Sequence, residues 1–90
     1  MKKHLHIFVS GKVQGVFFRS ETKRKAAGLG LFGFAKNLDN GSVEIIAEGE
    51  EEGLKELAKW CYNGPKGAAV DQVDFEWTAK GGKFDKFEIL

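Results

Sequence analysis

Cysteine and proline each occur once in this sequence of 90 residues. A lone thiol, Cys61, excludes an intramolecular disulfide and a thiolate cage for a metal, and it suits a reducing compartment. No apolar run is long enough to cross a membrane. Met1-Lys2-Lys3-His4 leads into alternating residues and not into the apolar core of a signal peptide, so a cytoplasmic protein without membrane contact is expected. An excess of charge of one sign is missing too. Lys and Arg number 14 against 13 Asp and Glu, a formal net charge of +1, whereas a nucleic-acid binder normally carries a basic surplus. What the chain does have is apolar and aromatic content: 42% hydrophobic residues, with eight Phe and two Trp, are ample for the core of one domain. No composition shift marks a linker, and a single domain over residues 1–90 is expected.

Periodicity divides that domain into elements. Leu5, Ile7 and Val9 alternate with other residues, the period of two of a half-buried strand over residues 4–10. A loop with two glycines, Gly11 and Gly15, leads into helix formers over residues 18–27, and Gly28 and Gly30 end that helix. Two β-rich runs, 31–38 and 42–48, flank Asp39-Asn40-Gly41, a hairpin signal that predicts antiparallel pairing. Glu50, Glu51 and Glu52 then precede Leu54, Leu57, Ala58 and Cys61, whose spacing is one face of a helix with acids suited to its dipole. Asn63-Gly64-Pro65 stops it. A strand follows over 70–78 with alternating Val73, Phe75 and Trp77, then a glycine turn at Gly81-Gly82 and a short terminal strand within 84–90. The order β-α-β-β-α-β predicts an α+β, ferredoxin-like two-layer sandwich. Its sheet is expected to be antiparallel, with two helices on one face and a short extra C-terminal strand. Such a scaffold carries many functions, so the site has to be argued from residues.

The segment Gly11-Lys12-Val13-Gln14-Gly15-Val16-Phe17-Phe18-Arg19 runs from a strand into a helix start. Free N–H groups and the helix dipole favour an anion there, and Gly15 lets backbone approach it closely. Arg19 could grip two phosphate oxygens with its planar fork. Glycine loops between strand and helix are common, however, and an Arg near a helix start is usually solvated, so these features alone leave both readings open. The segment lacks the Gly-Lys-Ser/Thr ending of a nucleotide P-loop and is not a dinucleotide fingerprint. Asn37, read alone, is equally a residue that ends a strand before a turn.

The same segment resembles the acylphosphatase signature Gly-x-Val-Gln-Gly-Val-x-Phe-Arg. Residues 33–43, Gly-Phe-Ala-Lys-Asn-Leu-Asp-Asn-Gly-Ser-Val, resemble that family's second signature, Gly-aromatic-x-basic-Asn-x-x-x-Gly-x-Val. The likeness continues through Ala47-Glu48-Gly49, Gly64-Pro65 and Phe87-Glu88-Ile89, so it covers nearly the whole chain. The resemblance implies a hydrolase of small acyl phosphates that needs no metal or cofactor. It implies that backbone amides over Gln14, Gly15, Val16, Phe17 and Phe18 cradle the phosphoryl group, that Arg19 binds it and that Asn37 orients water. Inorganic phosphate or a similar anion would occupy the loop, and a monomer acting on a small molecule is expected. A module that binds acyl or carbamoyl phosphate without turning it over is the alternative.

Other features have plainer readings. His4 and His6 share one side of the first strand, but no third metal ligand accompanies them. Cys61 falls on the apolar helix face, as a small core residue would. Lys23-Arg24-Lys25 is a short basic run on a charge-balanced chain. Phe32, Phe34, Phe75 and Trp77 invite comparison with the stacking aromatics of RNA-binding sheets, yet the RNA-recognition motif is missing and no nucleic-acid partner is expected.

Overall fold

Alternation of Leu5, Ile7 and Val9 shapes the central strand, and these three side chains are fully buried in the computed structural model, which describes residues 2–78 and 84–90. The elements run β1 (Lys2–Lys12), α1 (Phe18–Gly28), β2 (Phe32–Asn37), β3 (Val43–Glu50), α2 (Glu51–Cys61), β4 (Ala69–Thr78) and β5 (Phe87–Ile89). The expected Gly81-Gly82 turn lies outside the described residues. Strand order in the sheet is β4-β1-β3-β2-β5. β1 pairs antiparallel with both β3 and β4, and β3 antiparallel with β2, which is the ferredoxin-like arrangement. Among the described residues no helix is long and apolar enough to cross a membrane.

The extra strand makes the sheet mixed where an antiparallel one was expected. β5 pairs parallel with β2, Gly33 opposite Phe87 and Ala35 opposite Ile89. Direction explains this: β4 lies at the opposite edge and runs against β2, so a chain that reverses after β4 and reaches the β2 edge runs with β2. Gly33 permits the close packing of β2 on β3, since a Cβ there would lie 1.8 Å from the Ile46 carbonyl oxygen.

The core lies between the sheet and the two helices. Ile7, Val9, Val43 and Ile45 meet Phe18 and Ala26 from α1 and Leu54, Leu57 and Cys61 from α2, all essentially without exposure. α1 ends in paired bonds from Leu31 N–H to the Ala26 carbonyl and from Gly30 N–H to the Ala27 carbonyl, with Gly30 at φ +71°, the Schellman arrangement that glycine allows. The β2–β3 connection closes with Leu38 N–H donating to the Ser42 carbonyl and Gly41 N–H to the Leu38 carbonyl. With Gly41 at φ +91°, this is a three-residue hairpin loop. The hairpin fixes the end of β2, where Asn37 stands, and the helix stop fixes the turn from α1 into β2.

Phe75 and Trp77 pair with Ile7 and Leu5 and so face the helix side, yet they are 45% and 41% exposed. β4 is an edge strand and the helices do not cover it fully, which is why its alternation gives a half-open strip and not core. Phe32 and Phe34 lie on the face without helices, where Phe34 meets Phe84 edge-on with ring centroids 5.9 Å apart. The four aromatics thus divide between two faces and make no single stacking platform.

Candidate active site

The loop between β1 and α1 ends in an unusual helix start. Phe17, at the N-cap of α1, has φ +62° and ψ +23°, and no side chain caps the helix. It is the one non-glycine residue among those described with positive φ. The first-turn N–H groups, which no helix satisfies internally, are left facing the loop, with the helix dipole behind them. Gly15 is also left-handed, at φ +73°, and a Cβ there would meet no protein atom within 4 Å. Glycine is therefore favoured by backbone conformation, while the space in front of it stays open.

Two side chains hold this loop in place. Ser20 Oγ donates to the Phe17 carbonyl at 3.1 Å, and Glu21 N–H donates to the same oxygen at 3.0 Å. Gln14 reaches outward: its Nε2 donates to the carbonyls of Leu38 at 2.8 Å and Ser42 at 3.0 Å, the closing pair of the hairpin. The glutamine thereby ties the loop to the residue after Asn37. Beneath the loop Phe18 is buried against Trp60, ring centroids 5.4 Å apart, and Gly64 comes so close that a Cβ would lie 2.6 Å from the Phe18 ring.

A cavity of about 300 Å³ opens at this point, lined by Gly15, Phe17, Phe18, Arg19 and Asn37 together with Val13, Ser20 and Ile89. Arg19, on the first turn of α1, and Asn37, at the end of β2, are thus brought to one hollow although they stand 18 positions apart in sequence. Arg19 is already oriented: its Nη1 donates to the Leu90 carbonyl at 2.7 Å, and Leu90 N–H donates to the Ala35 carbonyl at 2.9 Å. Of the expected loop residues, Gln14 and Val16 do not line the cavity; the Gln14 side chain is a strut. Ser20 and Ile89 line it without having been expected. Ser20 could have been noticed as the hydroxyl next to Arg19, but nothing in the sequence joins Ile89 to a loop seventy residues earlier.

A model of the family described as Acylphosphatase matches residues 5–89. The chain belongs to the acylphosphatase family. A relative of that name from Pelotomaculum thermopropionicum is 46% identical over 84 residues, 93% of this chain and 91% of its own length. One from Marinobacter nauticus is 56% identical over 68 residues, 76% of this chain and 74% of its own. Among solved structures, an acylphosphatase from Coxiella burnetii superposes with a TM-score of 0.93 at 40% identity, covering 99% of this chain and 93% of that one. Both acylphosphatase signature segments, 11–19 and 33–43, contribute to the one cavity.

The other candidates have ordinary partners. His4 Nδ1 lies 2.6 Å from Thr78 Oγ1, and His6 Nε2 lies 2.7 Å from Glu44 Oε2. Among the described residues no group of three or more His, Cys, Asp or Glu is arranged to hold a metal. Burial pushes the Cys61 thiol up to about 12, so it stays protonated near neutrality and is no nucleophile.

Proposed function

We propose that this member of the acylphosphatase family hydrolyses the carboxyl–phosphate bond of small acyl phosphates through the cavity at the start of α1. The observation that carries this reading is the meeting of Arg19 and Asn37 in one cavity beside an uncapped helix N-terminus. In this reading the backbone amides over residues 14–18 and the Arg19 guanidinium hold the phosphoryl oxygens, and the Leu90 carbonyl keeps the guanidinium aimed. Asn37 holds a water in line with the bond to be broken. The water oxygen bonds to phosphorus as the phosphorus–acyl oxygen bond breaks, and the acyl oxygen leaves with the electron pair as a carboxylate. The water proton passes to a phosphate oxygen.

A carboxylate is a good leaving group, so no acid has to protonate it, and catalysis rests on position and charge. An amide can orient water without titrating, which suits Asn37 to the task. Inorganic phosphate, as product, would return to the same loop and act as a competitive inhibitor. A cytoplasmic monomer belongs to the same proposal, and the single cysteine suits a reducing compartment.

The roles separate in one experiment. Arg19→Ala is expected to weaken inhibition by phosphate and to lower turnover together, whereas Asn37→Ala keeps inhibition near the wild-type value while losing most turnover. Loss of phosphate inhibition in Asn37→Ala, or full turnover in either variant, contradicts the assignment.

A further inference from the structure

The cavity is lined by both polar and apolar side chains. Arg19, Ser20 and Asn37 supply the polar side chains, while Val13 and Phe18 are buried in its wall at 1% exposure each. Phe17 and Ile89 also line it, yet they are 79% and 42% exposed. Next to Ile89, Leu90 holds Arg19 by its carbonyl while remaining 55% exposed. Seven large hydrophobic side chains are exposed among the described residues, and three of them stand around this one opening. Exposed apolar side chains gathered at a cavity that also holds a guanidinium are the anatomy of a small-molecule site.

The backbone makes Phe17 the more telling of the pair. An aromatic residue at φ +62° is strained, and one exposed to this extent returns nothing to the core. Ser20 Oγ and Glu21 N–H both bind its carbonyl and hold it there. A glycine or asparagine would meet that conformation with less strain, so folding gives no reason for a phenyl ring at this position.

We propose that Phe17 and Ile89 form the subsite for the acyl portion of the substrate and set how strongly this enzyme discriminates an aromatic acyl group from a small one. The inference rests on the functional reading above and adds to it the residues that meet the acyl group. With the phosphoryl group at Arg19, an acyl group extends toward the mouth, where a ring covers the Phe17 face and the Ile89 side chain and removes apolar surface from water on both sides. A small acyl group such as acetyl is too short to cover either.

The test compares kcat/KM for benzoyl phosphate with kcat/KM for acetyl phosphate, in wild type and variants. Both substrates share the phosphoryl group, so their ratio cancels any disturbance of the loop that holds it. Phe17→Ala should lower the benzoyl-to-acetyl ratio about tenfold, the loss of an aromatic contact. Ile89→Ala, a change outside the loop, should lower it about threefold, and Phe17→Tyr should retain it. Ratios within about twofold of wild type in both alanine variants overturn the subsite while leaving the functional reading intact. A wild-type protein that hydrolyses neither substrate overturns that reading and the subsite with it.

Discussion

The starts of the two helices differ in how their free N–H groups are answered. α2 opens after Glu50 in extended conformation, with Glu51 and Glu52 in its first turn, and Glu51 is held by Lys55 at 3.0 Å and Lys3 at 3.1 Å. Its own carboxylates answer its dipole, and its apolar face, Leu54, Leu57, Ala58 and Cys61, goes into the core. α1 opens on a left-handed Phe17 with no side-chain cap, with Arg19 in its first turn and a cavity in front. Neither start has a side-chain cap, but α2 carries two carboxylates in its first turn where α1 carries one, Glu21, beside Arg19 and an open cavity, the place proposed above for an anion. In the proposed reading, stability and chemistry fall to different ends of the same layer.

Substitutions at the two ends should therefore fail in different ways. The largest effect is expected at α1: Arg19→Ala should lower kcat/KM for an acyl phosphate by about a thousandfold, because it removes a charged contact to the transferring group. The thermal midpoint should barely move, since Arg19 is outside the buried core. At α2 the pattern inverts. Leu57→Ala should cost about 3 kcal/mol of stability and lower the midpoint by more than about 10 °C, while turnover per folded molecule at low temperature stays near wild type. A Leu57 variant of normal stability, or an Arg19 variant that unfolds, would erase the contrast.

Smaller effects refine it. Gln14→Leu removes the strut between loop and hairpin but leaves the Leu38 and Ser42 carbonyls bonded to Gly41 and Leu38 N–H. About a tenfold loss of kcat/KM is expected from the loosened placement of Asn37, with a midpoint change corresponding to about 1 kcal/mol or less. Unchanged kinetics would show that the hairpin holds Asn37 unaided. The smallest effect belongs to Glu51, whose carboxyl is held below the usual carboxylate range by the hydrogen bond from Lys55 and then by Lys3. A lowered folded value stabilises above the ordinary carboxylate range, and that contribution is lost as pH falls through the folded value. Glu51→Gln should make the acid side of the stability profile slightly flatter, read as midpoint against pH, and should not alter hydrolysis.

Much of this was legible in the sequence. Alternation located β1, because one face of a central strand has to be apolar, and the spacing from Leu54 to Cys61 located the buried face of α2. The two signature segments named Arg19 and Asn37, and both line the cavity. What was not legible depends on backbone conformation or on distance along the chain. Nothing in the letter for Phe17 announces a left-handed residue. Three residues of β5 carry no direction, so their parallel pairing, and with it the arrival of Ile89 and Leu90 beside Arg19, follows only from where the chain re-enters the sheet. Phe75 and Trp77 alternate like core residues, but alternation marks a face and not how far a helix covers it.

The central claim is that an uncapped helix start, Arg19 and Asn37 suffice to hydrolyse an acyl phosphate. The most direct measurement is the rate of benzoyl phosphate hydrolysis by the purified protein in excess EDTA, beside Asn37→Ala. Rapid turnover that the chelator leaves unchanged and that Asn37→Ala lowers by about a hundredfold or more is the predicted result. Turnover lost to the chelator, or undiminished in Asn37→Ala, would contradict it.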